Sequence, residues 1–416
     1  MINTKATGAL ALSLAAMLAL SGCGSGFEGG STNTSDKASA GNLTSDTSRT
    51  LQVLIGSSGD AETQAVTKAV ADWSKKSGRK AKVIAASDGQ QQLSQGFASG
   101  DPADVFYLSP DYLAGYAANG SLLAYGDMMD TSDYYPSVLK SLTYDGKLYA
   151  VPKDVSTLQL VINTDMWSAA GLTEAEYPKN WDELAAVAKK LTKPGQVGLT
   201  FGGEYAREGV FFAQAGGGLV KDGKAIANSA DSIKALSEVK SLLTSGVAAY
   251  ASDLGAGWGG EAFGTKKAAM TIEGNWLSGT MQSDYPDVKY KVVELPAGPA
   301  GKGTLQFTNG WGIAADSKDQ KGALDLVKYL TGDDVVMSFS KAFGVMPASK
   351  TLGGEYKKQY PAMSAFADGL AYAAGLPNQK GAATVLGDLN SSLETLKKSD
   401  PKAILDKAQT NYEAIL

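Results

Sequence analysis

The chain contains no histidine, and its single cysteine is Cys23. Without imidazole, Ser/His/Asp and Cys/His triads, histidine-ligated zinc sites and a histidine pH switch are all excluded. One thiol permits neither an internal disulfide nor a thiolate metal cage. Positive charge is also in short supply. Lysine and arginine total 38 against 43 aspartates and glutamates, a net charge of −5, with no basic cluster to give the electrostatic footprint of a nucleic-acid binder. A phosphate loop is missing as well: Gly298-Pro299-Ala300-Gly301-Lys302-Gly303 is glycine-rich, but its spacing and the residue after Lys302 do not match one. Ser137 and Lys140 fit S-x-x-K without the S-D-N and K-T-G partners that would make it a penicillin-binding site. Nothing in the composition calls for a cofactor or a metal. Carboxylate pairs remain available, so glycoside hydrolysis stays open.

What is present begins at the N-terminus. Lys5 precedes a short apolar run over residues 9–20, which ends in Leu20-Ser21-Gly22-Cys23. The run is too short for an ordinary membrane span of roughly 20 residues. Residues 1–22 resemble a bacterial lipoprotein signal peptide, and the resemblance implies that Cys23 carries a diacylglycerol and becomes the mature N-terminus. Two acyl chains anchor stably where one is marginal. The body is then expected at the cell membrane, lipid-anchored on its extracytoplasmic face. Residues 23–49 are mostly Gly, Ser, Thr, Asn, Asp and Ala, with Phe27 and Leu43 the only large apolar side chains. They read as a flexible tether. No second long apolar segment follows. The remaining chain of about 365 residues is too long for one core and predicts two domains or one two-lobed body.

From residue 51 the pattern alternates strand and helix. An apolar run at 51–56 precedes a helical stripe of Ala61, Ala65, Val66, Ala69, Val70 and Trp73, capped by Asp60 and ended by Gly78. Further strands are expected at 82–85 and 104–108, which makes a βαβαβ unit and a parallel sheet flanked by helices. Ligands bind at the carboxyl ends of such strands, so Ser57, Ser58, Ser109, Asp111 and Tyr112 become candidates. A second sheet is expected from 157–163 onward, with a helix capped by Asn180 and Glu183, strands at 197–201 and 268–272, and helices near 209–215 and 232–244. The Gly/Pro-rich stretch 296–303 reads as a connection back to the first lobe.

Four segments then carry a family resemblance: Gly100-Asp101-Pro102-Ala103-Asp104-Val105, Tyr144-Asp145-Gly146-Lys147-Leu148-Tyr149-Ala150-Val151-Pro152, Ala268-Ala269-Met270-Thr271-Ile272-Glu273-Gly274-Asn275-Trp276 and Gly310-Trp311-Gly312-Ile313-Ala314. In order and spacing they resemble the extracellular solute-binding proteins (family 1) of carbohydrate ABC importers, among them the maltodextrin-binding proteins. The resemblance implies an α/β, two-lobed periplasmic-binding-protein-like fold of type II. Each lobe would be a mixed, mostly parallel sheet flanked by helices, and the lobes would be hinged by three crossings near 153–156, 296–306 and 343–347. The N-terminal lobe would comprise 50–153 and 303–343, and the C-terminal lobe 154–302 and 344–416. It also implies a non-catalytic, monomeric receptor that passes an oligosaccharide to an ABC permease. A surface glycosidase, or a receptor for a polyamine or a peptide, are the competing readings.

Sugars need flat aromatic platforms together with carboxylate and amide partners. Trp276 stands at the family's stacking position, and Trp311 is expected near the return crossing as a cleft floor. Trp258 lies between glycines, while Trp73, Trp167 and Trp181 fall on helices and read as structural. Ser58 and Asp111 are expected to contact ligand from the first lobe, Asp154 from a crossing, and Glu204 and Arg207 from the second lobe. Asn275 and Gln91 complete the candidates. Leu108 and the segment 363–368 depart from the maltodextrin binders, each lacking a tryptophan found there, which points away from maltodextrin itself.

Overall fold

The computed structural model describes residues 42–56, 60–86 and 88–416. The signal peptide, Cys23, Ser57 and Ser58 lie outside these residues. Two five-stranded sheets organise the body. In the first, the strands run Lys80–Ala86, Thr50–Gly56, Val105–Leu108, Gly310–Ile313 and Ala150–Pro152 across the sheet. The first three are parallel, with Val53 beside both Val83 and Val105, and Gly310–Ile313 is antiparallel to Val105–Leu108. In the second sheet the order is Ala248–Tyr250, Val197–Phe201, Ala268–Glu273, Gln159–Asn163 and Tyr290–Val293, the last two antiparallel. Val105–Leu108 and Gln159–Asn163 are buried at every position. Covered on both faces, they show no alternation: Val105–Leu108 is apolar throughout, and Gln159–Asn163 is polar only at its two ends.

The helices follow local chemistry. Asp60–Ser77 places Asp60 and Glu62 in its first turn and Lys75 and Lys76 in its last, each sign complementing the helix dipole, and buries Val66, Ala69, Val70 and Trp73. Trp181–Leu191 starts as its sequence predicts: Asn180 Oδ1 accepts the Glu183 N–H at 2.9 Å. The reciprocal bond differs from a standard capping box, because Glu183 Oε2 accepts from the Lys179 N–H at 2.8 Å rather than from that of Asn180.

The chain passes between the two sheets three times. The first passage contains Ser156–Thr157, which pairs antiparallel with Thr304–Phe307 of the second, Phe307 opposite Ser156. Ala373–Ala374 adds a parallel third strand to this small sheet. The third passage follows the helix Asp333–Phe343: Gly344 turns the chain at φ 78°, and the Met346 carbonyl accepts from the Val155 N–H at 3.0 Å.

Three expectations need correction. Residues 42–49 are not free tether. Leu43 is buried in the first lobe's core, Thr44 Oγ1 donates to the Ser317 carbonyl at 2.7 Å, and the Asp46 N–H donates to Asp319. The stretch 296–303 is not the return crossing either. Ala297 and Ala300 donate to the carbonyls of Lys179 and Gln214, and a Cβ on Gly303 would meet the Ala213 backbone at 2.6 Å. The glycines therefore serve close packing against the second lobe. Leu305 lies in that lobe's core, so the switch to the first sheet falls between Phe307 and Gly310. Finally, the strand expected at 157–163 divides at Leu158 between the small sheet and the large one.

Candidate functional site

A cleft of 1620 Å³ lies along the passages between the sheets. Asp60, Ser109 and Asp111 reach it from the ends of the first lobe's strands, and Trp258, Asn275 and Trp276 from the second lobe. Strands feed it by their carboxyl ends, as in other open α/β sheets.

Trp276 follows the strand Ala268–Glu273 and is partly buried. Its indole Nε1 donates to Glu273 Oε2 at 3.0 Å. The Arg207 guanidinium lies 5.1 Å from the ring centroid, and Phe307 meets the ring edge to face at 5.5 Å and 86°. The ring folds back over Gly274, where a Cβ would sit 2.3 Å from it. Trp258 does the same over Gly260 at 2.1 Å. Each tryptophan thus has a glycine two residues away that lets an aromatic ring approach the backbone.

Lys153 and Glu62 form a buried ion pair in the cleft wall. The Lys153 Nζ lies 3.0 Å from Glu62 Oε1 and 2.5 Å from Asp154 Oδ2, and 4.5 Å from the centre of the Tyr107 ring. Tyr107 donates its hydroxyl to the same Glu62 oxygen at 2.8 Å. Burial alone would pull the lysine pKa down, but Asp154, Tyr107 and Glu62 outweigh it and raise the pKa above its ordinary value. The ammonium stays charged and compensated. Asp111, at the start of the helix Pro110–Ala118, has its pKa raised by burial.

A model of the bacterial extracellular solute-binding protein family matches residues 68–368. The chain belongs to this family. Such proteins work outside the cytoplasm, and among the described residues no helix is long and apolar enough to cross a membrane. The diacetylchitobiose-binding protein DasA of Streptomyces coelicolor is 29% identical over 287 residues, covering 64% of this chain and 65% of that protein. A galactooligosaccharide-binding protein of Bacillus subtilis is 24% identical over 327 residues, covering 74% of this chain and 76% of that protein. In fold, the chain resembles the GacH receptor of Streptomyces glaucescens, solved without ligand and with acarbose, at a TM-score of 0.78 and 21% identity. That match covers 88% of this chain and 99% of the receptor. The two-lobed α/β fold of the solute-binding proteins is therefore the fold of this chain.

Against this fold, the remaining candidates of the solute-binding protein take distinct places. Trp311 does not floor the cleft. It has no exposed surface and packs in the first lobe's core, its ring 4.9 Å from Tyr107 and its carbonyl accepting from the Tyr125 hydroxyl. Its strand is buried on both faces, so neither side offers a ligand surface. Gln91 is exposed, and its N–H donates to Asp88 at 2.8 Å. Its neighbour Gln90 instead lines a side chamber of 320 Å³ with Asp88, Ser109 and Asn309. This chamber shares Gly56, Tyr107, Ser109 and Asn309 with the main cleft. Glu204 and Arg207 stand behind the cleft wall. Arg207 pairs with Glu273 at 2.9 Å and with Glu204 at 3.7 Å, and burial raises the Glu204 pKa while Arg207 opposes the rise. Asn275 lines the cleft, but its groups are engaged internally: its N–H donates to Ser156 Oγ at 3.1 Å and its Nδ2 to the Gly344 carbonyl at 2.8 Å. Trp73, Trp167 and Trp181 are buried, with their indole N–H groups bonded to Asp325, Thr173 and Gln214.

Glu62, Lys153, Phe307 and Glu273 were not singled out by sequence reasoning. Glu273 alone carried a signal, three residues before Trp276 at the end of a strand.

Proposed function

We propose that this solute-binding protein captures an oligosaccharide in the cleft between its lobes and delivers it, without chemical change, to the permease of an ABC importer. The observation that carries the reading is Trp276: a ring held from behind by a cation and from its edge by a carboxylate, exposed to a large cleft whose other walls carry hydroxyls, amides and carboxylates. Sugar C–H faces stack on such rings, while their hydroxyls take planar polar partners. The relatives that bind diacetylchitobiose and galactooligosaccharides support the ligand class. The protein acts as a monomer tethered by a lipid on Cys23, and closure of the two lobes about three passages signals that cargo is aboard. A ligand contacting both lobes favours closure only by its extra affinity for the closed form. Titration calorimetry with diacetylchitobiose, galactooligosaccharides and maltotetraose tests the proposal, with chromatography of the recovered sugar. Reversible binding with intact sugar is expected. Heatless titrations across the panel, or cleaved product, would overturn it.

A further inference from the structure

We infer that Glu273 is the positioning residue of the Trp276 platform, acting on ligand through the indole rather than by touching it. The inference rests on the reading that Trp276 stacks on sugar. Glu273 ends the strand Ala268–Glu273 and is 1% exposed. It does not line the cleft, yet one of its oxygens organises the wall. Oε2 accepts from Trp276 Nε1 at 3.0 Å and from Arg207 Nε at 3.1 Å, with Arg207 Nη2 at 2.9 Å. Three donors meeting on one carboxylate oxygen fix the indole by its nitrogen and the guanidinium by its fork. The guanidinium so fixed is the one that lies 5.1 Å from the Trp276 ring centre, a cation–π contact. One carboxylate therefore sets both the rotation of the ring in its plane and the group that backs its face. Phe307 closes a further side, and what remains of the ring is presented to the cleft.

The site of Glu273 is built to hold that pose. A Cβ on Gly259 would lie 2.7 Å from Glu273 Oε1, so the neighbouring helix Gly259–Gly264 begins with the one residue that admits this carboxylate. Glu273 Oε1 has no hydrogen-bond partner. The side chain is thus retained at the cost of an unsatisfied buried oxygen, and the Arg207–Glu273–Trp276 arrangement supplies the reason. Glu204, 3.7 Å from Arg207 on the other side, steadies the guanidinium without reaching the ring.

The test uses Glu273→Gln and Glu273→Ala, each alone and combined with Trp276→Ala, all checked for cooperative melting. In ligand-free protein, acrylamide quenching of the Trp276 component is read as the difference between each protein and its Trp276→Ala partner. Release of the ring should raise that quenching about twofold in Glu273→Ala, and less in Glu273→Gln, which can still accept the indole bond. Affinity for the tightest binder among diacetylchitobiose, galactooligosaccharides and maltotetraose should fall about tenfold in Glu273→Ala, with no further fall when Trp276 is already alanine. Unchanged quenching overturns the inference. So does an equal loss of affinity with and without Trp276, which would mean that Glu273 acts on sugar directly. If Trp276→Ala alone binds as the parent does, the platform reading fails, while the quenching result still decides what holds the ring. Should the alanine variant not fold, Glu273→Met, which fills similar space but offers no oxygen to the indole N–H, carries both measurements.

Discussion

A Cβ at position 274 would lie 2.3 Å from the Trp276 ring, so Gly274→Ala has to move either the indole or the strand end beneath it. Gly274→Ala and Trp276→Ala should therefore act alike, each weakening oligosaccharide binding by about 1–3 kcal/mol, the scale of a buried aromatic anchor. Calorimetry on both variants checks this, and a Gly274→Ala protein with parental affinity would show that the ring does not need that glycine. Trp311 should behave in the opposite way. It is wholly buried, so Trp311→Ala should cost about 3–5 kcal/mol of stability while the folded fraction keeps its affinity, as denaturant unfolding and titration at low temperature would separate. The difference between these two tryptophans shows where residue-level reading stops. That Trp276 lines the cleft was legible because it follows a strand end and stands at the family's stacking position. Trp311 was not, because a strand covered on both faces has no alternation to tell a cleft-facing side from a core-facing one.

Among the elements, the passages between lobes are where local chemistry and global geometry meet. Asn275 bonds Ser156 on the first passage and the Gly344 carbonyl on the third, immediately before Trp276, so the cleft wall and the turning points of the chain meet at one residue. Asn275→Ala removes the side-chain bond to the partly exposed Gly344 carbonyl, a loss of about 0.5–1.5 kcal/mol. The expected result is a lower melting temperature together with faster ligand release, since the passages are held less firmly; stopped-flow dissociation with the parental rate would argue that Asn275 only fills space. The strands and helices expected between residues 51 and 272 lie within a few residues of those observed, because their apolar periods and caps are local properties, whereas none of the helices between Gln320 and Glu413 had been assigned. The glycine-rich stretch 296–303 was misread as a crossing because glycine marks both turns and close packing, and only the proximity of Gly303 to Ala213 distinguishes the two. Leu43 was likewise assigned to a tether by composition, although a single apolar side chain beside Thr44 and Asp46 is enough to dock the segment on the first lobe.

At the scale of the whole molecule, the C-terminal helices pack into the second lobe's core, and one buried acid sits at that junction. Glu208 has no exposed surface. The Tyr250 hydroxyl oxygen lies 2.6 Å from Glu208 Oε1 and 3.1 Å from the carbonyl of Leu393, the last residue of the helix Ala382–Leu393. A hydroxyl has one hydrogen for these two acceptors. A protonated Glu208 resolves the shortage by donating to the tyrosine oxygen, which then donates to Leu393. Burial pushes the Glu208 pKa up to about 8, the bond with Tyr250 lowering it and Glu204 adding to the rise. The folded protein therefore holds a proton that the unfolded chain releases near its ordinary value of about 4.3. The sign follows from linkage. The contribution is fully present below about 4.3, and it is lost as pH rises toward 8, at about 1.4 kcal/mol per pH unit while the two states differ by one proton. Above that range both states are ionised and the slope vanishes. Glu208→Gln keeps the donor to Tyr250 without the titration, so its unfolding free energy measured in urea from pH 5 to 9 should lack this component and gain on the parent toward alkaline pH. Parallel pH profiles for the two proteins would mean that Glu208 is already ionised in the fold and that the Tyr250 hydrogen points at the carboxylate instead of Leu393.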